Sequence, residues 1–288
     1  MLTSGLVATT HHRSSSPRSI ASTCCQAEKL RNKTSILDRF CPELCDAVAA
    51  PAPGPEEPAY NGFQFLQELR TGNFFTIPLD LEGRWFRYHH LFQEMLRDQL
   101  QARTPPGEIA ALHLRASAWF EGEGLIEEAL KHALSAEDID RVVQIVARHR
   151  HPTLNADRWY VLENWLSLVP ETVVQQHAEF LITRAWILMH HYLFEALFPL
   201  LDQLESMLVD SPAHDSIRAE IALCRGYALF FMGEGVESLK LITAALERIP
   251  VSCQEARAQG ALKDDFAELL DAADAVTATP PVGTDETD

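Results

Sequence analysis

The sequence predicts a mainly α protein in which one short β-hairpin interrupts a long run of helices. Three observations predict it. Residues 74–79 and 85–88 are short runs rich in aromatic and β-branched residues, and the Asp80-Leu81-Glu82-Gly83-Arg84 stretch between them has the make-up of a tight turn. Directly after them Leu91, Phe92, Met95, Leu96 and Leu100 recur at helical spacing with Gln93, Arg97 and Asp98 on the other side, so a helix runs from His90 to about Gln101. From Pro105 onward, helical patterns follow one another at short intervals, punctuated by Gly and Pro. Strand, turn, strand, helix is the back half of a winged-helix domain, and stacked helix pairs make a tetratricopeptide-like helical-repeat solenoid.

The elements follow in order. Residues 1–33 are Ser-rich with scattered basic residues and no sustained apolar period, so a poorly ordered segment is expected there. A winged-helix domain over 34–104 opens with the stripe Ile36, Leu37, Phe40, Leu44 and Val48, in which Pro42 either starts a second helix or kinks the first. The Pro-rich, acidic stretch 51–58 ends any helix. Asn61 is an N-cap for the next helix, which carries Phe63, Phe65, Leu66 and Leu69 and stops at Gly72. The hairpin and its following helix complete the domain.

A helical-repeat domain over 105–250 comes next, with helices at 112–121, 125–134, 137–148, 160–168, 180–190, 193–208, 217–231 and 236–249. Ser135 is a cap for the third of these, and the link 122–124 is short enough to demand antiparallel neighbours. Small residues such as Gly226 and Ala244-Ala245 let paired helices approach. Residues 251–288 hold one more helix over 258–275 and then a disordered acidic tail.

Composition narrows the function classes. A chain with 47% hydrophobic and 23% charged residues is globular, and no apolar run is long enough for a membrane helix or a signal peptide, so a cytoplasmic location is expected. The net charge of −17 repels a phosphate backbone. Between 35 and 103 ten acids face six bases, and the helix that would read DNA, 61–72, offers Arg70 alone. A self-standing DNA-binding winged helix is therefore the second choice, since such a reader should be basic. The six cysteines show no zinc spacing and read as reduced thiols. No GxSxG or Gly-rich nucleophile loop points to a hydrolase, so no enzyme is expected.

Several stretches carry a resemblance. Leu66-Gln67-Glu68-Leu69, residues 73–80, Trp85-Phe86-Arg87-Tyr88-His89-His90-Leu91-Phe92, residues 113–120 and Ile126-Glu127-Glu128-Ala129-Leu130-Lys131-His132 together resemble the large MalT-type regulators of the LuxR class, which are STAND signalling ATPases. Residues 34–40 and 44–48 resemble the stretch that opens the winged helix there. The resemblance implies a middle segment of such a regulator, truncated at both ends, with an inducer- or partner-sensing repeat domain and a role in transcription regulation and signal transduction. In the family a nucleotide-binding domain precedes the winged helix and a DNA-binding domain follows the repeats. The sole Lys-Thr dipeptide, Lys33-Thr34, has no glycine beside it, so no phosphate loop and no ATP or ADP cofactor are expected in this chain.

The family's winged helix supplies a histidine to the β-phosphate of ADP, and the resemblance places His89 in that role, with His90 standing for the motif's acid. Both also suit packing at a helix start. A metal at His90 and Glu94, which share a helix face, is not expected, because no second histidine in a HExxH arrangement accompanies them. On the repeats, Trp159, Tyr160, Trp186, His190, His191 and Tyr227 are the candidates for an inducer or a protein partner, because amphipathic aromatics stack on sugars and grip peptides. Each has a core-packing reading as well. An apolar, unfinished repeat end is a further surface for self-association, and Trp119 is expected to pack between the winged helix and the 125–134 helix.

Overall fold

The computed structural model describes residues 17–49, 61–72, 75–209, 211 and 214–249. They form two compact units, one through Gly124 together with 135–137, the other from 125–134 and from Asp138 on.

In the first unit α1 (Pro17–Thr34) leads into an irregular bend and then α2 (Pro42–Ala49). The helix at 17–34 corrects the expectation of disorder over those residues. Over 26–34 its buried residues are Ala27, Leu30 and Thr34, of which Leu30 is the one large apolar side chain, so little hydrophobic period is left to read. Residues 1–16, and the expectation for them, lie outside the described residues. Pro42 starts α2 rather than kinking a longer helix, as suits a residue that lacks the donor a first turn leaves idle. The stripe read from Ile36 to Val48 is thus split. Ile36, Leu37 and Phe40 reach the core from the bend, and Leu44, Cys45 and Val48 from α2.

Polar side chains pin that bend. Gln93 donates to the carbonyls of Ser35 (3.0 Å) and Leu37 (2.8 Å), and the Arg97 Nε donates to Ser35 (2.9 Å). Both donors sit on α4 (His90–Arg103), on the side the sequence pattern assigns to water. Leu96 and Leu100 of the predicted apolar side are buried, whereas Leu91 and Met95 are exposed. Phe40 exchanges two backbone hydrogen bonds with Phe86 and so adds a one-residue rung to the wing.

Helix α3 (Gly62–Thr71) starts with a full capping box, Asn61 accepting from the Gln64 N–H while the Gln64 side chain accepts from Asn61, and it ends at Gly72. Gly62 fits where no side chain could. A Cβ there would collide with the Pro42 backbone carbonyl, and its N–H donates to Asp46 Oδ1. The wing pairs β1 (Thr76–Pro78) antiparallel to β2 (Phe86–Tyr88), Ile77 opposite Arg87. Asp80 organises its turn by accepting from the N–H groups of Arg84 (2.8 Å) and Trp85 (3.1 Å), while Gly83 takes φ +65°. Under the wing, the Tyr88 hydroxyl meets buried Thr34 Oγ1 at 2.8 Å, and burial pushes the phenol far above its ordinary pKa.

Helix α5 (Pro106–Gly122) belongs to this first unit, packing on α2 and α4, where the sequence reading began the repeats at 105. Its Arg115 Nε caps the end of α2 by donating to Val48 O (2.9 Å). Trp119 meets the wing, its ring edge-on to Trp85 at 6.1 Å, and it is half-buried.

The second unit holds α6 (Ile126–Ser135), α7 (Ile139–Asn155), α8 (Trp159–Leu168), a short α9 (Glu171–Val174), α10 (Ala178–His190), α11 (Phe194–Met207), α12 (Asp215–Phe231) and α13 (Gly235–Leu246). α9 was not legible in the sequence, and Asp138, not Ser135, caps α7 by accepting from Arg141 N–H. The expected helix at 258–275 and the tail lie outside the described residues. α10 packs on α7, α8, α11 and α12, and α12 lies along α13. Gly226 permits that last approach, since a Cβ there would stand 2.8 Å from Ile242 Cγ1.

Four of the turns repeat one device. The N–H groups of Asp138, Arg158, Leu193 and Glu234 each reach back to the carbonyl five residues earlier, after a left-handed residue: Glu137 (φ 57°), Asp157 (54°), Tyr192 (58°) and Gly233 (89°). This is the Schellman ending of an α-helix, which satisfies carbonyls the helix leaves idle.

Candidate functional site

The predicted candidates fall into separate places. His89 is the N-cap of α4; its N–H donates to Phe75 O (2.7 Å), its carbonyl accepts from Gln93 N–H (3.0 Å), and its imidazole makes no capping bond. The His89 and His90 rings lie 4.4 Å apart at 33°, and His90 is exposed. Among the described residues no group of three or more His, Cys, Asp or Glu is placed to hold a metal. A groove of about 420 Å³ beside α3, lined by Pro42, Phe63, Leu66, Arg70, Gly83 and Phe86, escaped sequence reasoning.

On the second unit four of the six aromatic candidates gather. The turn at Asp157 delivers Trp159 as the first residue of α8, and α10 ends at His190 with His191 as its C-cap. Because α8 packs on α10, the indole meets both imidazoles, His190 nearly face-on at 4.7 Å and His191 edge-on at 4.5 Å. Tyr160 stands edge-on to Trp159 at 6.1 Å and is 55% exposed. His191 Nε2 meets Glu163 Oε1 at 2.8 Å, an acid one helical turn after Trp159. The result is an open aromatic wall with a carboxylate at its foot. It can stack on the flat face of a polar ligand and accept a hydrogen bond from it.

Trp186 is not part of this wall. It is fully buried, and its indole N–H donates to Glu220 Oε2 at 2.7 Å. Tyr227 is half-buried and belongs to another ring cluster, 5.0 Å from Phe231. Helical spacing assigns a residue to a face but not to the neighbour that face meets, which is why the list mixed wall, core and second cluster.

Glu220 is the centre of a buried ionic network that the sequence reading missed. Arg150 Nη2 bonds Glu220 Oε1 at 2.7 Å, its Nη1 bonds Glu179, and His151 Nε2 lies 3.3 Å from Glu220 Oε1. Burial works against both charges. Glu220 and Glu179 nevertheless hold the Arg150 pKa above its ordinary value, while Arg150, His151 and Trp186 hold Glu220 below the usual carboxylate range. The signal was present in the apolar stripe Ile217, Ile221, Cys224 of α12, where Glu220 is an acid at core spacing.

Residues 30–108 match the MalT winged helix domain family. Over 194 residues the chain is 29% identical to the HTH-type transcriptional regulator MalT of Yersinia enterocolitica, an alignment covering 67% of this chain and 21% of that protein. The MalT regulators of Yersinia pestis and Yersinia pseudotuberculosis are 28% identical over the same shares. The chain spans about a fifth of the length of these relatives. The similarity is thus to a MalT-type winged helix, and a run of paired helices follows it in this chain.

Proposed function

We propose that this chain is a regulatory, non-enzymatic part of a MalT-like transcriptional regulator, in which the helical repeats bind a small inducer or a protein partner. The Trp159, His190, His191 and Glu163 wall carries the proposal. Its rings stand together at the surface with a carboxylate beside them, whereas Phe180 and Trp186 of the same unit are sequestered in the core. The names of the relatives support the regulatory class. In this reading the chain needs no cofactor of its own, and His89 and His90 are a nucleotide-sensing pair that acts only where a nucleotide-binding domain faces them.

DNA reading by the winged helix is the less supported alternative. The exposed side of α3 presents Phe63 and two glutamines with Arg70 as its base, which suits a protein surface better than phosphates.

The inducer reading is tested by titrating the full chain with small neutral sugars while following tryptophan fluorescence and calorimetric heat. A saturable signal that is lost in Trp159→Ala and weakened about tenfold in Glu163→Gln is expected, the latter being the loss of one hydrogen bond to a charged group. Saturable binding untouched by Trp159→Ala, or no binding across the set, would sink the assignment of this wall.

A further inference from the structure

The second ring cluster lies at the tips of two successive helix pairs. Tyr192 is 5.4 Å from Phe231 and 6.0 Å from Phe194, and Phe194 stacks on Phe231 at 5.8 Å and 28°. Tyr227 and Phe230 close on Phe231 from within α12. Tyr192 is 57% exposed, and Met232 (60%) and Val236 (63%), just after Phe231 in the chain, are exposed too; exposed apolar side chains grouped at one turn mark an interaction site.

Of the three non-glycine residues at the left-handed turn position, Glu137, Asp157 and Tyr192, only Tyr192 carries an aromatic ring. It holds φ +58°, a conformation costly for a bulky residue, at the turn position that Gly233 fills in the next pair. Glycine satisfies that turn with no steric cost, so the turn itself does not call for tyrosine. A strained residue is retained where its side chain is used.

The surrounding charge says what for. Residues 185–217 contain no Lys or Arg, and Glu195 and Glu234 stand exposed beside Phe194 and Gly233 with no cation next to them in sequence. Aromatic faces together with carboxylates form a setting for guanidinium groups, which stack on rings and pair with acids. We propose that the tips of α10–α11 and α12–α13 dock an extended, arginine-bearing peptide of a partner protein, its guanidiniums on Tyr192 and Phe231 and paired with Glu195 and Glu234. This surface shares no residue with the Trp159 wall, although Tyr192 directly follows His191, and neither proposal depends on the other.

The test uses the full chain and a fluorescein-labelled octapeptide of alternating arginine and glycine, with alternating glutamate and glycine as the control, read by anisotropy. A chain of net charge −17 attracts any polycation, so the rings decide the outcome. The arginine peptide binds saturably and more weakly as salt rises, and the Glu195→Gln, Glu234→Gln double variant weakens it and flattens the salt dependence. Tyr192→Gly raises the melting temperature, because the strain is gone, yet lowers affinity about tenfold, the scale of one desolvated cation–π contact. Phe231→Ala lowers it likewise. Affinity unchanged from the parent chain in both ring variants, or equal affinity for the glutamate peptide, overturns the proposal. So does an outcome in which the peptide fails to bind and Phe231→Ala instead abolishes self-association in sedimentation, which would give the face to a second copy of the chain.

Discussion

The two units solve the problem of holding a chain in place by different means. The first follows an irregular path, and polar side chains aimed at backbone groups fix it: Gln93 and Arg97 on the 35–37 bend, Asp46 on Gly62, Asp80 on the wing turn, and Arg115 on the end of α2. The second needs almost none of this, because a helix satisfies its own backbone and the same Schellman turn recurs. Its buried ionic feature, the Arg150 and Glu220 network, is therefore not demanded by the backbone. It joins α7, α10 and α12, and gives those three helices a fixed mutual register.

The largest expected effect breaks that feature. Glu220→Ala leaves Arg150 buried and short of a partner, and should destabilise the second unit by about 3–5 kcal/mol. The double variant Glu220→Leu, Arg150→Met should recover most of the loss, because an apolar replacement removes the burial cost of both charges. Urea unfolding followed by hydrogen exchange in α7, α10 and α12 checks this. Equal damage from single and double variants would mean that shape, not charge, makes the site.

Acid separates the units by mechanism, with a smaller effect. In the first, burial and then the Arg97 charge push the His113 pKa from 6.5 down to about 4. The unfolded chain therefore binds a proton that the folded one refuses, and stability falls as pH drops from 6.5 to about 4, by roughly 2 kcal/mol once solvent screening is allowed for. In the second, the depressed pKa of Glu220 keeps its contribution at pH values above the ordinary 4.5, and the contribution is lost as pH falls through the lower folded value. The first unit should thus loosen earlier in an acid titration followed by exchange in α5, and His113→Gln should remove that early phase. Loosening of α7, α10 and α12 at the higher pH would reverse the assignment.

The same contrast explains what could be read from the sequence. Long periodic helices were legible, as were the hairpin, the Asn61 cap and the close approach at Gly226, because each rests on local chemistry. α1 was not, since over 26–34 it buries Leu30 with only Ala27 and Thr34 beside it, too little for a hydrophobic stripe. The bend at 35–40 was not, because it is defined by partners more than fifty residues away on α4. In the candidate site, Trp159, Tyr160, His190 and His191 meet in one cluster that their spacing did not specify, whereas Trp186 shares their composition but faces Glu220. Which helix a face meets is a tertiary fact that periodicity does not carry.

The smallest expected effect sharpens the account of the repeated turn. Glu137, Asp157 and Tyr192 occupy the left-handed position that glycine occupies at 233, and none advertises itself as a helix stop in the way glycine does. A non-glycine residue in this conformation carries a steric cost, least for Asp, whose short side chain tolerates it. Asp157→Gly should then gain only about 0.5 kcal/mol, because relief of the strain is partly offset by the greater freedom of glycine in the unfolded chain. Glu137→Gly should gain more, about 1 kcal/mol, since its longer side chain has no such tolerance. Both are read as shifts in urea midpoint at constant slope. If Asp157→Gly lost stability while Glu137→Gly gained it, the Asp157 carboxylate would be contributing to the turn beyond the backbone bonds, and the four turns would not be one device.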